Sequence, residues 1–145
     1  MARKHHTDIR VRFDETDGLG IVHNANYFKY FGIGYSELLR SLGFEPGKEG
    51  FAIAKGVSFP RGEAYCSYES PAKYGDDLRL YTSVGMMTKR TIKYEFELVR
   101  KVRRKRIARG HITCVAVSIG EKWKTVTLPK ELVSRLVEEG YVTKR

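Results

Sequence analysis

The chain has 145 residues, a formal net charge of +10 and an apolar content of 41%. That length suits a single domain, residues 1–145, whose folding buries roughly two-thirds of the surface the unfolded chain exposes. No uninterrupted apolar run approaches the ~20 residues of a membrane-spanning helix, and the basic start Met1-Ala2-Arg3-Lys4-His5-His6 leads into no apolar stretch of the secretory type. The chain therefore reads as a globular protein of the cytoplasm. Cys66 and Cys114 both lie in apolar, strand-like runs, without the Cys-x-x-Cys or Cys/His spacing of a zinc site, and read as buried thiols; no metal is expected. The positive charge calls for an anionic partner, and nucleic acid, an acidic membrane surface and a phosphate-bearing small molecule all qualify until the charge is located.

In chain order, Ile9, Val11 and Phe13 alternate with Asp8, Arg10 and Arg12, which predicts a half-buried strand over Asp8–Phe13. The acidic, glycine-bearing stretch Asp14-Glu15-Thr16-Asp17-Gly18-Leu19-Gly20 follows as a loop. Tyr27, Phe31, Gly34, Leu38 and Leu42 recur at steps of three and four, one face of a helix from about Asn26 to Leu42. Asn24 and Asn26 are acceptable caps at its start, and Gly43 suits the position after its end. Gly32 and Gly34 each cost this helix about 1 kcal/mol relative to alanine, so close approach of another backbone should compensate. Strand segments are expected over Phe51–Ser58 and Glu63–Tyr68, broken at Pro60-Arg61-Gly62. Alternation then marks Leu78, Leu80, Thr82, Val84 and Met86, and next Ile92, Tyr94, Phe96 and Leu98. A long strand over Ile107–Ile119 carries Ala108, Gly110, Ile112, Cys114, Ala116 and Ser118 on one face, small enough for a helix to lie tight against it. Pro129, Leu132, Val133, Leu136 and Val137 before Gly140 read as a short C-terminal helix. This order fits an α+β fold in which an antiparallel sheet wraps one long central helix.

The chemistry concentrates between Arg12 and Phe28. A loop carboxylate there precedes the first turn of an apolar helix, whose leading N–H groups lack internal partners and whose dipole is partly positive. A thioester carbonyl placed at that end would have its developing oxyanion stabilised by main-chain donors. A carboxylate on its other side could attack the carbonyl or deprotonate a water. Asp14, Glu15 and Asp17 also suit a solvated turn. His23 fits a base, a partner of the carboxylate or a polar residue at the helix start.

The pattern Phe13-x-x-Thr16-Asp17-x-x-Gly20-Ile21-Val22-x-x-x-Asn26-Tyr27-Phe28, with the helix and strands that follow, resembles the 4-hydroxybenzoyl-CoA thioesterase family of hotdog proteins over nearly the whole chain. The resemblance implies a hotdog fold that dimerises, often into tetramers, with acyl-CoA sites at subunit interfaces and no metal or bound cofactor beyond the CoA of the substrate. It places the family's essential aspartate on Asp17 and its carbonyl-polarising helix-start amide on or beside Asn24, with His23 as a neighbouring candidate. Gly20, Val22, Asn26 and Tyr27 are the motif residues expected at the substrate. Many bacterial relatives acting on short-chain acyl-CoAs carry a tyrosine where Phe13 stands and a histidine where Asn24 stands. The family helix also frequently has an acidic residue and an arginine at the positions of Gly32 and Tyr35.

The excess positive charge lies between Lys89 and Arg109. Resemblance to the family suggests that Lys89, Arg90 and Thr91, at one hairpin turn, contact the phosphates of CoA. Arg103-Arg104-Lys105-Arg106 forms the next turn and serves equally as a solubilising tip. Between Arg100 and Arg109 no aromatic residue interrupts the cations, unlike the interleaved pattern of nucleic-acid binders. Acyl-CoA hydrolysis is thus the leading expectation, without nucleic acid or membrane as partner. A non-catalytic hotdog module that binds acyl-CoA or a protein is the second, and a nucleic-acid binder the third.

Overall fold

The computed structural model describes residues 2–47 and 50–143. Its elements are β1 (His5–Arg10), a 3-10 turn (Phe13–Glu15), α1 (Asn26–Ser41), β2 (Pro46–Gly47), β3 (Gly50–Phe51), β4 (Val57–Ser58), β5 (Arg61–Tyr68), β6 (Asp77–Met87), β7 (Thr91–Arg100), β8 (Arg106–Val115), β9 (Val117–Ser118), β10 (Lys124–Thr125) and α2 (Lys130–Glu138). Strands β1, β6, β7, β8 and β5, in that spatial order, make one antiparallel sheet. Because apolar side chains alternate along these strands, one face of the sheet is greasy, and α1 lies across it against β1, β5, β6 and β7. The sheet wrapped round one long helix, with a short C-terminal helix, is therefore present as expected.

Where the expected elements differ, the backbone explains it. β1 starts earlier, at His5, and the chain leaves it at Arg10 for the 3-10 turn; Phe13 consequently stands 75% exposed, edge-on to Tyr74 at 5.7 Å. In β6 a register shift between Val84 and Met87 interrupts the alternation, so Met86 points outward while Met87 packs on the core. Of the strand expected over Phe51–Ser58 only the ends are extended, as β3 and β4. Arg61 and Gly62 do not break β5 but begin it, with a bulge before Glu63. The long final strand splits at Ala116 into β8 and β9. At the helix start the capping residue is Ala25, with no side-chain cap, rather than Asn24 or Asn26.

Contact between α1 and the sheet depends on two missing side chains. A Cβ added at Gly34 would sit 2.5 Å from both Leu80 Cδ2 and Thr82 Oγ1, so the helix rides directly on β6 there. At Gly110 of β8 an added Cβ would collide with Phe31, whose ring stacks on Phe96 at 4.6 Å. Close approach therefore accounts for Gly34, against side chains rather than backbone. Gly32 has, among the described residues, only the Arg61 side chain within reach of an added Cβ, at 3.6 Å. At the free edge of the sheet, β5 is mostly exposed along its length, with Tyr65 51% and Tyr68 49% exposed.

Two predictions follow from this packing. Gly34→Ala should destabilise the chain by about 1–2 kcal/mol, overpacking outweighing the gain in helix propensity, whereas Gly32→Ala should stabilise it by about 0.5–1 kcal/mol; urea midpoints measure both. The second concerns Asp8, whose carboxylate accepts from Arg79 Nε at 2.8 Å and lies 3.0 Å from Lys101 Nζ. The hydrogen bond from Arg79, with Lys101 adding to it against a desolvation penalty, lowers this carboxyl to about 2. A depressed carboxyl contributes above its unfolded value of about 3.9 and loses that contribution as the pH falls toward 2. Asp8→Asn should then lower stability at pH 6 by under about 1 kcal/mol, the pair being exposed, and change nothing near pH 2.

Candidate active site

The loop after the 3-10 turn is closed by hydrogen bonds of its own. The Asp17 N–H donates to the Ile21 carbonyl at 2.9 Å, and the Gly20 N–H returns to the Asp17 carbonyl at 3.0 Å. Gly20 adopts φ +79°, a left-handed conformation that a side chain would strain. One oxygen of Asp17, Oδ1, accepts the Leu19 N–H at 2.8 Å, an Asx turn that fixes the carboxylate; Oδ2 has no partner among the described residues. The far side of the loop is fastened to the segment after β5 by the Val22 N–H, which donates to the Ala72 carbonyl at 2.8 Å, and by a bridge between Ile21 and Lys73.

Glu15 joins this loop to the start of α1. Its carbonyl accepts from the His23 N–H (2.9 Å) and the Asn26 side-chain amide (2.8 Å), while its Oε1 accepts from the Tyr30 hydroxyl and the Arg12 N–H, each at 2.8 Å. Tyr30 is fully buried, and burial first, then the bond to Glu15, pushes its phenol well above the ordinary value. At the helix start the His23 Nδ1 accepts the Ala25 N–H at 3.2 Å, and the Asn24 carbonyl accepts from the Tyr27 N–H and the Tyr68 hydroxyl, each at 3.3 Å. The Asn24 N–H donates to no group among the described residues.

A cavity of about 430 Å³ opens between these parts. Asp17, Ile21, Val22, Asn24 and Tyr27 line it together with the segment Tyr68-Glu69-Ser70-Pro71, where the chain leaves β5. The Tyr27 phenol is raised above its ordinary value, chiefly by burial, with the nearby Asp17 charge among the lesser causes. Asp17 and Asn24, whose Oδ2 and main-chain N–H have no partner among the described residues, thus line one cavity with a mostly apolar wall. Such a pair can polarise a carbonyl from one side and supply a base or nucleophile from the other.

Of the residues singled out in the sequence, Asp17, Asn24, Val22 and Tyr27 line this cavity together. Gly20 stands at the turn behind Asp17, Asn26 is spent on Glu15, and His23 is exposed outside the lining with Nδ1 engaged at Ala25. The Lys89-Arg90-Thr91 turn is not near. Thr91 pairs with Val115, whereas the cavity wall at Tyr68 is level with Ala108 and Leu98, about 23 Å away along β7. That turn is closed by Thr88 and Thr91, whose hydroxyls meet at 2.6 Å, and cannot reach Asp17 of its own chain. Glu15, Tyr30, Tyr68 and the 69–71 wall were not legible as site residues. The available signal was Tyr30 one turn after Asn26, on the buried face, where a phenol needs a partner.

Tyr30→Phe should leave the fold intact but lower its stability by about 1–2 kcal/mol in urea, the range for a hydrogen bond to a charged group. An unchanged midpoint would remove Glu15 as the brace of this loop.

The sequence model of the thioesterase-like superfamily matches residues 11–136. A protein of Aquifex aeolicus named as an esterase is 32% identical over 127 residues, 88% of this chain and 93% of its own. The acyl-CoA thioesterase YbgC of Haemophilus influenzae is 29% identical over 124 residues, 86% of this chain and 88% of its own. Among solved structures, the 1,4-dihydroxy-2-naphthoyl-CoA thioesterase Slr0204 of Synechocystis superposes with a TM-score of 0.84 at 19% identity, covering 94% of this chain and 97% of that one. The sheet order, the helix lying across it and these likenesses agree: the chain has the hotdog fold and belongs to the thioesterase-like superfamily.

Proposed function

We propose that this chain hydrolyses an acyl-CoA thioester in the Asp17–Asn24 cavity, releasing a free acid and CoA. Thioester hydrolysis of an acyl-CoA is the activity that membership of the superfamily and the named relatives support. The observation that supports the finer reading is that Asp17 and Asn24, which keep a carboxylate oxygen and a helix-start N–H without other partners among the described residues, line the same cavity. In this reading the Asn24 amide, reinforced by the helix dipole, polarises the thioester carbonyl, and a donor of this kind contributes on the order of 10²–10³ in rate. Asp17 acts on the opposite side as general base toward water or as nucleophile.

Other residues take supporting parts. Gly20 lets the turn close behind Asp17, Val22 and Tyr27 form the wall beside the acyl carbon, and Asn26 and His23 fix the helix start through Glu15 and Ala25. A thiol nucleophile is disfavoured, because burial raises both Cys66 and Cys114 to about 11. The chemistry draws on side-chain and main-chain groups without a metal, and two free thiols suit a reducing, cytoplasmic setting.

The same proposal includes a second copy. β5 offers an exposed, unpaired edge with two half-exposed tyrosines, the kind of edge that recruits another strand. Antiparallel pairing of two β5 strands would continue the sheet and turn the Lys89-Arg90-Thr91 end of one copy toward the Asp17 end of the other. A dimer, or a tetramer built from it, is accordingly expected by sedimentation equilibrium at micromolar concentration.

Asp17→Asn tests the chemistry without disturbing the turn, since the amide oxygen still accepts the Leu19 N–H. Thiol release, measured over acyl-CoAs of graded length and aromaticity, should fall by about 10²–10⁴ in kcat, with unfolding and assembly unchanged. Full activity in the variant would refute the role of Asp17. Binding across the panel with no turnover by the unaltered chain would instead identify a non-catalytic module.

A further inference from the structure

A groove apart from the Asp17 cavity runs along α1, between the helix and β5. One stretch of it, about 340 Å³, lies among Phe28, Gly32, Ala64 and Ile112; the next, about 260 Å³, lies among Tyr35, Phe51, Phe59 and Cys114. Arg61 lines both. Glycine at position 32 keeps the groove open, since an added Cβ there would stand 3.6 Å from the Arg61 guanidinium.

That guanidinium is the exception on the sheet. Arg10, Arg79, Arg100, Arg106 and Arg109, on the other four strands, each hold a carboxylate. Arg61, on β5, has no acidic partner among the described residues and instead stands 5.9 Å from the centroid of the Tyr35 ring. Its charge reaches both titratable groups of the groove. Burial raises the Tyr35 phenol well above its ordinary value and the Cys114 thiol to about 11, and at each the Arg61 charge pulls the other way.

An unpaired cation in open solvent calls for no explanation, but β5 is the edge at which a second copy is expected to pair. Arg61, Ala64 and Tyr68 of this strand all face α1: Arg61 reaches Gly32, Ala64 lines the groove with Phe28, and Tyr68 meets Tyr27 edge-on at 5.1 Å. Antiparallel pairing therefore covers the groove. It also sets the Arg61 end of one copy beside the Tyr68 end of the other, where the Asp17 cavity opens. A guanidinium enclosed there without a counter-charge is costly, and a bound anion offsets that cost.

We infer that Arg61 selects the acyl group, taking thioesters whose acyl part ends in a carboxylate, with the aromatic walls of the groove holding the ring or chain between that carboxylate and the thioester. This rests on the acyl-CoA reading of the Asp17 cavity and on the β5 pairing, and it names the substrate class. Guanidinium and carboxylate meet through two parallel, charge-assisted hydrogen bonds, which a methyl ester matches neither in charge nor in paired geometry. The cation comes from the second copy, because on one chain Arg61 and Tyr68 stand at opposite ends of β5, roughly 20 Å apart.

The test sets adipyl-, suberyl- and 4-carboxybenzoyl-CoA each beside the thioester of its monomethyl ester, with thiol release as the readout. The unaltered chain should prefer at least one acid over its ester by roughly tenfold or more in kcat/KM. Arg61→Gln should remove that preference, mostly by raising KM for the acid, with the urea midpoint and sedimentation close to those of the unaltered chain; Arg61→Lys should keep part of it. Equal handling of acids and esters by the unaltered chain would overturn the assignment, as would an equal loss on both in Arg61→Gln, which marks a structural residue. A monomeric chain would overturn it too, its own Arg61 lying too far from Asp17. Hydrolysis that continues in any of these cases leaves the Asp17 reading standing. If no thioester is cleaved, calorimetry with the same compounds decides: tighter binding of the acid that is lost in Arg61→Gln keeps the groove and removes hydrolysis, and equal binding removes both.

Discussion

Everything at the candidate site depends on one part-buried junction, the Glu15 carboxylate against the Tyr30 hydroxyl. A carboxylate drawn into the flank of an apolar helix is costly unless its lone pairs are satisfied. Here Oε1 takes both the phenol and the Arg12 N–H, while the Glu15 carbonyl takes His23 and Asn26. The result is that a loop whose sequence suggests solvent-exposed acids is held in fixed register to the first turn of α1. Asp17, two residues beyond Glu15, inherits that register. Its own Asx turn then leaves one oxygen without a partner among the described residues, on a side chain that lines the cavity.

That register would be of little use if α1 could slide. Gly34 prevents it: with Leu80 and Thr82 against its Cα, the helix can lie on β6 only at that point. Phe31, stacked on Phe96 and pressed toward Gly110, fixes the neighbouring turn. Locked in this way, the helix presents its N-terminal end beside Tyr68, where β5 ends, and the cavity forms between them. Packing at mid-helix thereby decides where an unpartnered amide stands several turns away.

These two layers were unequally legible in the sequence. The helix pattern from Tyr27 to Leu42 and the strands around Leu80 and Tyr94 follow from periodicity, since burial on one face is a local rule. Gly34 was legible as a cost needing compensation, but the surface that compensates is β6 at Leu80 and Thr82 rather than the small face of β8, which meets the helix through Phe31 at Gly110. Met86 was not, because a single bulge reverses the alternation beyond Val84. Phe13 was misread for a related reason: the alternating pattern continues past Arg10 although the backbone has already turned. Asp17 and Asn24 were joined by motif and by helix-end electrostatics, and they do share a cavity. Glu15 was passed over as one loop acid among three, since its partner lies fifteen residues on and nothing local marks that bond.

The distribution of charge completes the physical picture. Cations on this sheet are mostly neutralised in pairs, as Arg79 and Lys101 are at Asp8, and Arg106 at Glu69 and Glu97. A net charge of +10 must then come from groups left over, and Arg103, Arg104 and Lys105 supply such a group in one exposed turn. Unpaired cations repel one another and raise the energy of the compact state, an effect that a bound polyanion relieves. Between that turn and the Asp17 cavity, Glu69 of the cavity wall is paired with Arg106 and Arg109. The unpaired charge of this turn therefore stands apart from the Asp17 cavity, whose wall is made of residues that are paired within the fold.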